Sequence, residues 1–399
     1  MKQALLDTLN HWLPDMTDIR RSIHAWPELA FQETRTAGTV ARLLESWGID
    51  THTGLGDTGV VGRITGDAPG PSIGLRADLD ALPMPENNTF AHASQNPGVM
   101  HACGHDGHTA MLLAAARYLA ENRHFPGTVH VIFQPAEEAG GGAQRMIQDG
   151  LFEQFPIDAV FGMHNWPGIP VGSFGLTEGP IMASSNRFDI TLQGKGAHGA
   201  MPHLGIDPVV AAAQLTLAFQ TILTRNQDPL DAGVISVTQI HTGSADNVIP
   251  DEAVLRGTVR TLSTPVLDLI ESRMRDITQH LAQAMGCTAQ FHFSREYPPT
   301  INHPAETALS TRVLTELVGA ECVRAGVRPS MGAEDFAFML LEKPGCYIWI
   351  GNGDGDHRSA GHGLGPCTLH NGSYDFNDSL IPLGAAYWVM LTHRYLTGS

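Results

Sequence analysis

Two hydrophobic rhythms run along the chain. Near the start, Leu5, Leu6, Leu9, Trp12 and Leu13 recur at helical spacing, and Asp7 interrupts any continuous apolar run. Between residues 59 and 164, the runs "GVVGRIT", "SIGLRAD", "TVHVIFQ" and "DAVFGMH" read as strands. "GHTAMLLAAARYLAEN", residues 107–122, predicts a helix among them. Buried, β-branched strands alternating with helices predict an α/β sheet that is at least partly parallel.

The rhythm changes near Ser184. "RFDITLQ" sets Phe188, Ile190 and Leu192 on one face of a half-buried strand. Asp207 then reads as an N-cap and Pro208 as the first residue of a helix with Leu215, Phe219 and Ile222 on one side. Two strands follow, "GVISVTQI" and "AVLRGTVRT". A second helix is expected with Thr264 as its cap, Leu267, Ile270, Met274, Ile277 and Leu281 as its stripe, and Gly286 as its stop. "AQFHF" closes a β-α-β-β-α-β series, the ferredoxin-like unit. After about residue 297 the α/β pattern resumes, with a strand in "GCYIWIGNG". The expected architecture is a discontinuous α/β domain, 1–183 and 297–399, carrying an inserted α+β domain at 184–296.

Length agrees with two domains, since 399 residues exceed one simple core. The net charge of −17 argues against nucleic acid or an anionic membrane as partner. Five scattered cysteines do not form a disulfide framework, and neither a signal peptide nor a membrane-length apolar run is read. A cytoplasmic protein is expected.

The candidate chemistry lies where the strands end. Asp78 and Asp80, Glu137 and Glu138, and His164 with Asn165 follow three separate predicted strands. In an open α/β sheet such ends converge on one edge, where ligands bind. "MHACGHDGH" adds Cys103 and His105 just before a helix. In extended chain these two point the same way and make first-rank metal ligands; a buried cysteine beside a helix-capping histidine fits them equally well. His101 and His108 are weaker candidates. Adjacent Glu137 and Glu138 point apart in extended chain, which suits one ligand and one general base. A surface pair is the usual reading of two carboxylates, but a hydrophobic strand and a glycine run flank these. No Gly-Lys-Ser/Thr follows that run, so a phosphate loop is disfavoured. His198, His203 and His370 are each, taken alone, ordinary surface histidines. Glu334 and Asp335 in "SMGAEDFAF" read as helix-start residues.

Together, "RRSIHAWPELAFQE", "LRADLDALPM", "MHACGHDGH", "QPAEEAGGGA", "GMHNWP", "GKGAHGAMPH", "DNVIPDEA", "MGAEDFAF" and "LHNGSYDFND" resemble the M20 metallopeptidase family. The nearest branch is that of the amidohydrolases: hippurate hydrolases, N-acyl-amino-acid amidohydrolases and indole-acetyl-amino-acid hydrolases. The match runs in order over nearly the whole chain. The resemblance implies a metal-bearing α/β domain with a ferredoxin-like lid that serves dimerisation. It implies Cys103, His105, Glu138, His164 and His370 as ligands to two divalent ions (zinc, manganese, cobalt or nickel). Glu137 would be the general base and Asp78 an aspartate behind the ligands. The histidine of the family's His-x-Asp motif is Arg76 here. His198 would face the scissile carbonyl, and Asn247 and Arg260 would contact substrate. The implied reaction is hydrolysis of an N-acyl amino acid to a carboxylic acid and an amino acid. Three other readings remain: a deacylase or dipeptidase acting on a biosynthetic intermediate, a non-catalytic metal-binding scaffold, and a metal-free module gripping phosphate.

Overall fold

The computed structural model describes residues 2–398 and divides the chain into two compact units. One comprises the chain up to Ile181, Ile301–Arg328, and the segment from Asp335 on. The other comprises Met182–Thr300 and Pro329–Glu334.

The first unit is built on an eight-stranded mixed sheet. Its strands are β1 (Asp50–Leu55), β2 (Gly59–Thr65), β3 (Ala68–Asp78), β4 (Pro126–Gln134), β5 (Ala159–Pro167), β6 (Phe174–Leu176), β7 (Val323–Ala325) and β8 (Gly345–Gly353). They lie in the order β1-β2-β4-β3-β5-β8-β6-β7. The central four, β4, β3, β5 and β8, are mutually parallel, while β1 and β2 join antiparallel at one side. Every residue of β8 and the last six of β3 are buried, as expected for parallel strands covered on both faces.

Helices α2 (His105–Glu121) and α4 (Ile381–Thr397) pack on this sheet, and α1 (Lys2–His24) packs against both; a short helix, α3 (Gly142–Gln148), follows β4. Leu5, Leu9, Trp12 and Met16 form the buried stripe of α1. Helix α2 is buried nearly all round, with Ala110 to Ala116 wholly inside the core. It begins at His105, two residues earlier than its sequence suggests, so the segment from Cys103 to His105 is a bend entering a helix and not extended chain.

The second unit is the ferredoxin-like fold. Its sheet pairs Gly233–Thr242, Glu252–Thr261, Ser185–Gln193 and Thr288–Tyr297 in that order, all antiparallel. Helices Pro208–Arg225 and Thr264–Ala284 bury Leu215, Phe219, Ile222, Leu267, Ile270 and Met274 against it. Asp207 caps the first by accepting Val209 N–H at 2.9 Å. Ser263, not Thr264, caps the second, accepting from Val266 N–H at 3.4 Å; Thr264 is already helical. Gly286, at φ 78°, takes the left-handed shape that ends that helix. Among the described residues, no helix is long and apolar enough to cross a membrane.

Candidate metal centre

The carboxyl ends of β3, β4 and β5, with the entry to α2, bring the ligand-type residues together. Cys103, His105 and His164 offer ligand atoms that all lie within 4.8 Å of one another. Cys103, Glu138 and His370 form a second such group, and His105, Glu137 and Glu138 a third. The first two share Cys103, so two candidate groups of three residues meet at one sulfur. Cys103, His105, His164 and Glu137 are buried, Glu138 is partly buried, and His370 is more exposed.

Each imidazole is set by what its other nitrogen does. His164 donates Nδ1–H to the backbone carbonyl of Asn165 at 2.6 Å, which leaves the Nε2 lone pair 3.3 Å from Cys103 Sγ. Burial, followed by His108, holds the His164 pKa well below its ordinary value, so it is neutral, the form that ligates metal. His105 places Nδ1 3.2 Å from Asp80 Oδ1. Its Nε2 faces Asp78 Oδ2 at 3.8 Å and Glu138 Oε1 at 3.9 Å. Burial lowers the His105 pKa, but Asp78, Asp80 and Glu138 outweigh it and raise the value to about 10. His108 differs: its Nε2 accepts the Asn165 N–H at 2.9 Å, so its Nδ1 donates to Asp78 Oδ1 at 2.6 Å. Both nitrogens are used, although Asp78, His105 and His108 also offer ligand atoms within 4.8 Å of one another.

Two buried atoms decide what the cluster suits. His105 Nε2 and Glu138 Oε1 have no hydrogen-bond partner. His370 Nε2 is the nearest cationic candidate, 3.3 Å from the same Glu138 oxygen. Orphaned buried polar atoms are costly, and a cation among them would satisfy both. Burial first, then Glu138 and Glu137, raise the Cys103 thiol pKa well above its ordinary value. A divalent cation would reverse that by favouring the thiolate. The donors present therefore fit a pair of metal ions.

A frame of polar residues behind the cluster was only partly visible in the sequence. The sequence places Asp80 at the sheet edge and assigns it no role. Besides meeting His105, it accepts the N–H groups of Glu137 at 3.1 Å and Glu138 at 2.9 Å. Asp78 instead meets His108 through Oδ1 and Arg76 Nη1 through Oδ2, the latter at 2.8 Å. Asn165 donates to Cys103 O at 2.6 Å and accepts from the Tyr374 hydroxyl at 2.7 Å. These contacts press on Gly104, at φ 92°, where a Cβ would lie 2.3 Å from Asn165 Nδ2. Asp335 does not cap the helix that follows it. Its buried oxygens accept from Arg76, Gln134 and the Ala143 N–H, all at 2.9 Å, so it caps α3 instead. His370 sits at φ 58°, a left-handed conformation for a non-glycine residue, and its N–H is tied to Ala102 O at 2.8 Å.

The remaining candidates lie in the ferredoxin-like unit. His198 is exposed on a two-residue strand whose partner residue is Val248. Its Nδ1 accepts the Ala200 N–H at 3.0 Å, so a neutral ring carries its proton on Nε2. Asn247 accepts the Gly199 N–H at 2.7 Å through its carbonyl, which brings it beside His198. Arg260 is half-buried, with Nη1 3.5 Å from Ser184 O.

Ligand-type atoms at the carboxyl edge of an α/β sheet, with an adjacent pair of glutamates, have the layout of a metallohydrolase site. The sequence pattern of peptidase family M20/M25/M40 matches residues 74–391. The chain belongs to that family, in its amidohydrolase branch. It is 43% identical over 340 residues to N-acetyl-L-cysteine deacetylase of Bacillus subtilis, covering 85% of this chain and 80% of that protein. It is 40% identical over 378 residues to hippurate hydrolase of Campylobacter jejuni, covering 95% and 96%. The crystal structure of the YXEP protein of Bacillus subtilis, described as a dinuclear metal-binding peptidase of the M20 family, superposes with a TM-score of 0.84 at 32% identity, covering 97% and 99%.

Proposed function

We propose that the protein is a dinuclear metal-dependent amidohydrolase that cleaves N-acyl amino acids to a carboxylic acid and a free amino acid. The observation that carries this reading is the pair of three-residue groups meeting at Cys103, with Glu137 beside them. Cys103, His105 and His164 would hold one ion; Cys103, Glu138 and His370 the other. Bound divalent ions would supply an acidified water and polarisation of the scissile carbonyl. The named relatives, a deacetylase of N-acetylcysteine and a hydrolase of hippurate, support the substrate class.

The chain's own residues supply the proton handling. Glu137 accepts a proton from the attacking water and returns it to the leaving amine nitrogen. Asp80 holds the backbone of both glutamates and the ring of His105, so base and ligand share one support. His198, with its proton on Nε2, donates a hydrogen bond to the developing oxyanion. Asn247 and Arg260 bind the amino-acid half, and the working form is a homodimer through the ferredoxin-like unit. The test is a hydrolysis screen of N-acetyl, N-benzoyl and N-indoleacetyl amino acids on metal-stripped protein, with zinc, manganese, cobalt and nickel restored in turn. Turnover without metal, or on none of these amides with it, would sink the reading.

A further inference from the structure

Three consecutive backbone N–H groups lead into the paired glutamates, and each ends on a buried carboxylate. Those of Glu137 and Glu138 go to Asp80. That of Ala136 goes to Glu33, whose Oε1 accepts it at 2.9 Å. The other oxygen, Oε2, accepts from the Thr58 hydroxyl at 2.6 Å. Glu33 is fully buried, ahead of the helix at Thr34–Ser46, and belongs to none of the metal-binding groups. Burial raises its pKa.

The turn that Glu33 holds is strained. Ala136 has φ 53° in a wholly buried position, a left-handed backbone shape that a non-glycine residue keeps only when its surroundings enforce it. The loop is closed from the other side by Gly142, whose N–H donates to Ala136 O at 3.1 Å. A Cβ at Gly142 would lie 1.7 Å from Pro135 O, so the loop has no room to relax there. Ala136 immediately precedes Glu137. Its dihedral angles therefore set the direction in which the Glu137 side chain leaves the turn.

We propose that Glu33 is a positioning residue for the hydrolytic reaction: by accepting the Ala136 N–H it holds the left-handed turn that aims Glu137. This rests on the reading of Glu137 as general base. Asp80 secures the N–H groups of both Glu137 and Glu138, so Glu33 acts on the pair only through Ala136, which is joined to Glu137 and one residue further from Glu138. Removing Glu33 should disturb the base and spare the metal.

The experiment compares Glu33→Ala, Glu33→Gln and Glu137→Gln with wild type, all zinc-loaded. In Glu33→Ala, kcat should fall roughly 10–10²-fold, as expected for a misplaced catalytic group, with KM within about threefold and zinc content unchanged. Hydrogen exchange in peptides spanning residues 135–138 should quicken in the same variant. Glu33→Gln retains an acceptor for Ala136 N–H and should recover kcat to within about threefold of wild type. A kcat for Glu33→Ala within twofold of wild type would overturn the proposal. So would loss of zinc in step with activity, or a Glu33→Gln variant as poor as Glu33→Ala. If Glu33→Ala does not fold, Glu33→Asp, too short to reach both Thr58 and Ala136, must show the same kcat loss. Full activity in Glu137→Gln would instead show that the base is misassigned, whatever Glu33 does.

Discussion

One carboxylate oxygen of Asp80 lies 3.2 Å from Nδ1 of His105, while the two oxygens together accept the N–H groups of Glu137 and Glu138. A single side chain thus fixes the tautomer of an imidazole and the backbone of two glutamates. Truncating it removes an orienting contact and orphans two amides at once. Asp80→Ala should weaken zinc affinity by roughly 10–10²-fold, the usual cost of losing a residue that orients a ligand. Competition with a chromophoric chelator measures this, and unchanged affinity would show that His105 needs no such partner.

The shared sulfur gives the sharpest test of the two-ion arrangement. Cys103→Ala should bind fewer than two zinc ions and lose activity, because both three-residue groups lose a member. His164→Ala should chiefly deplete one site. Elemental analysis of the purified variants reads both outcomes, and a full complement of metal in Cys103→Ala would remove it from the ligand set.

Glu137 and Glu138 should separate by phenotype. Glu137→Gln should keep its metal while kcat falls by roughly 10²–10⁴, the range for a lost general base. Glu138→Gln should lose metal. The reverse pattern would exchange their roles.

Metal uptake should release protons. Without metal, His105 titrates at about 10, and the Cys103 thiol lies well above its usual value. At neutral pH both sites therefore carry protons that a cation must displace. Apparent zinc affinity should rise with pH, up to about tenfold per unit for each displaced proton, and this gain should persist above pH 7. Calorimetric titration in buffers of different ionisation enthalpy counts the protons released. Cys103→Ala should lose the thiol's share of this dependence and keep that of His105, and a pH-independent affinity in wild type would contradict the site.

Stability should carry a separate pH signature from α1. Burial and Arg20 push the His24 pKa down, but Asp106 and Glu86 outweigh them and raise it to about 9. Its Nδ1 lies 2.8 Å from Asp106 and its Nε2 3.1 Å from Glu86. A raised histidine pKa stabilises fully below the unfolded value of about 6.5, and that contribution disappears as pH climbs through 9. The stability difference between wild type and His24→Gln, from urea unfolding, should shrink by a few kcal/mol (order of magnitude) between pH 6 and pH 9.5. A gap independent of pH would mean that His24 stays neutral.

The elements were legible because their signals are local. Apolar spacing marked the stripe of α1, Asp207 and Pro208 opened a helix where expected, and the β-α-β-β-α-β order alone specified the ferredoxin-like unit. Strand ends also showed where polar groups would gather, since parallel strands deliver their carboxyl termini to one edge. What a linear reading could not reach was which atom meets which. Asp78 and Asp80 are two residues apart and chemically identical, yet one pairs with Arg76 and His108 while the other orients His105 and both glutamates. Asp335 read as the cap of its own helix and caps α3 instead, 192 residues away in sequence. Glu33 closes the family-like stretch "RRSIHAWPELAFQE", but its role gave no signal, because its partner is the backbone N–H of Ala136, 103 residues distant, and any residue but proline offers one. Periodicity and capping depend on neighbours within a few positions, so the amino-acid order determined them. Hydrogen-bond partners across the core depend on where the packed sheet brings distant loops, and only the folded chain decided those.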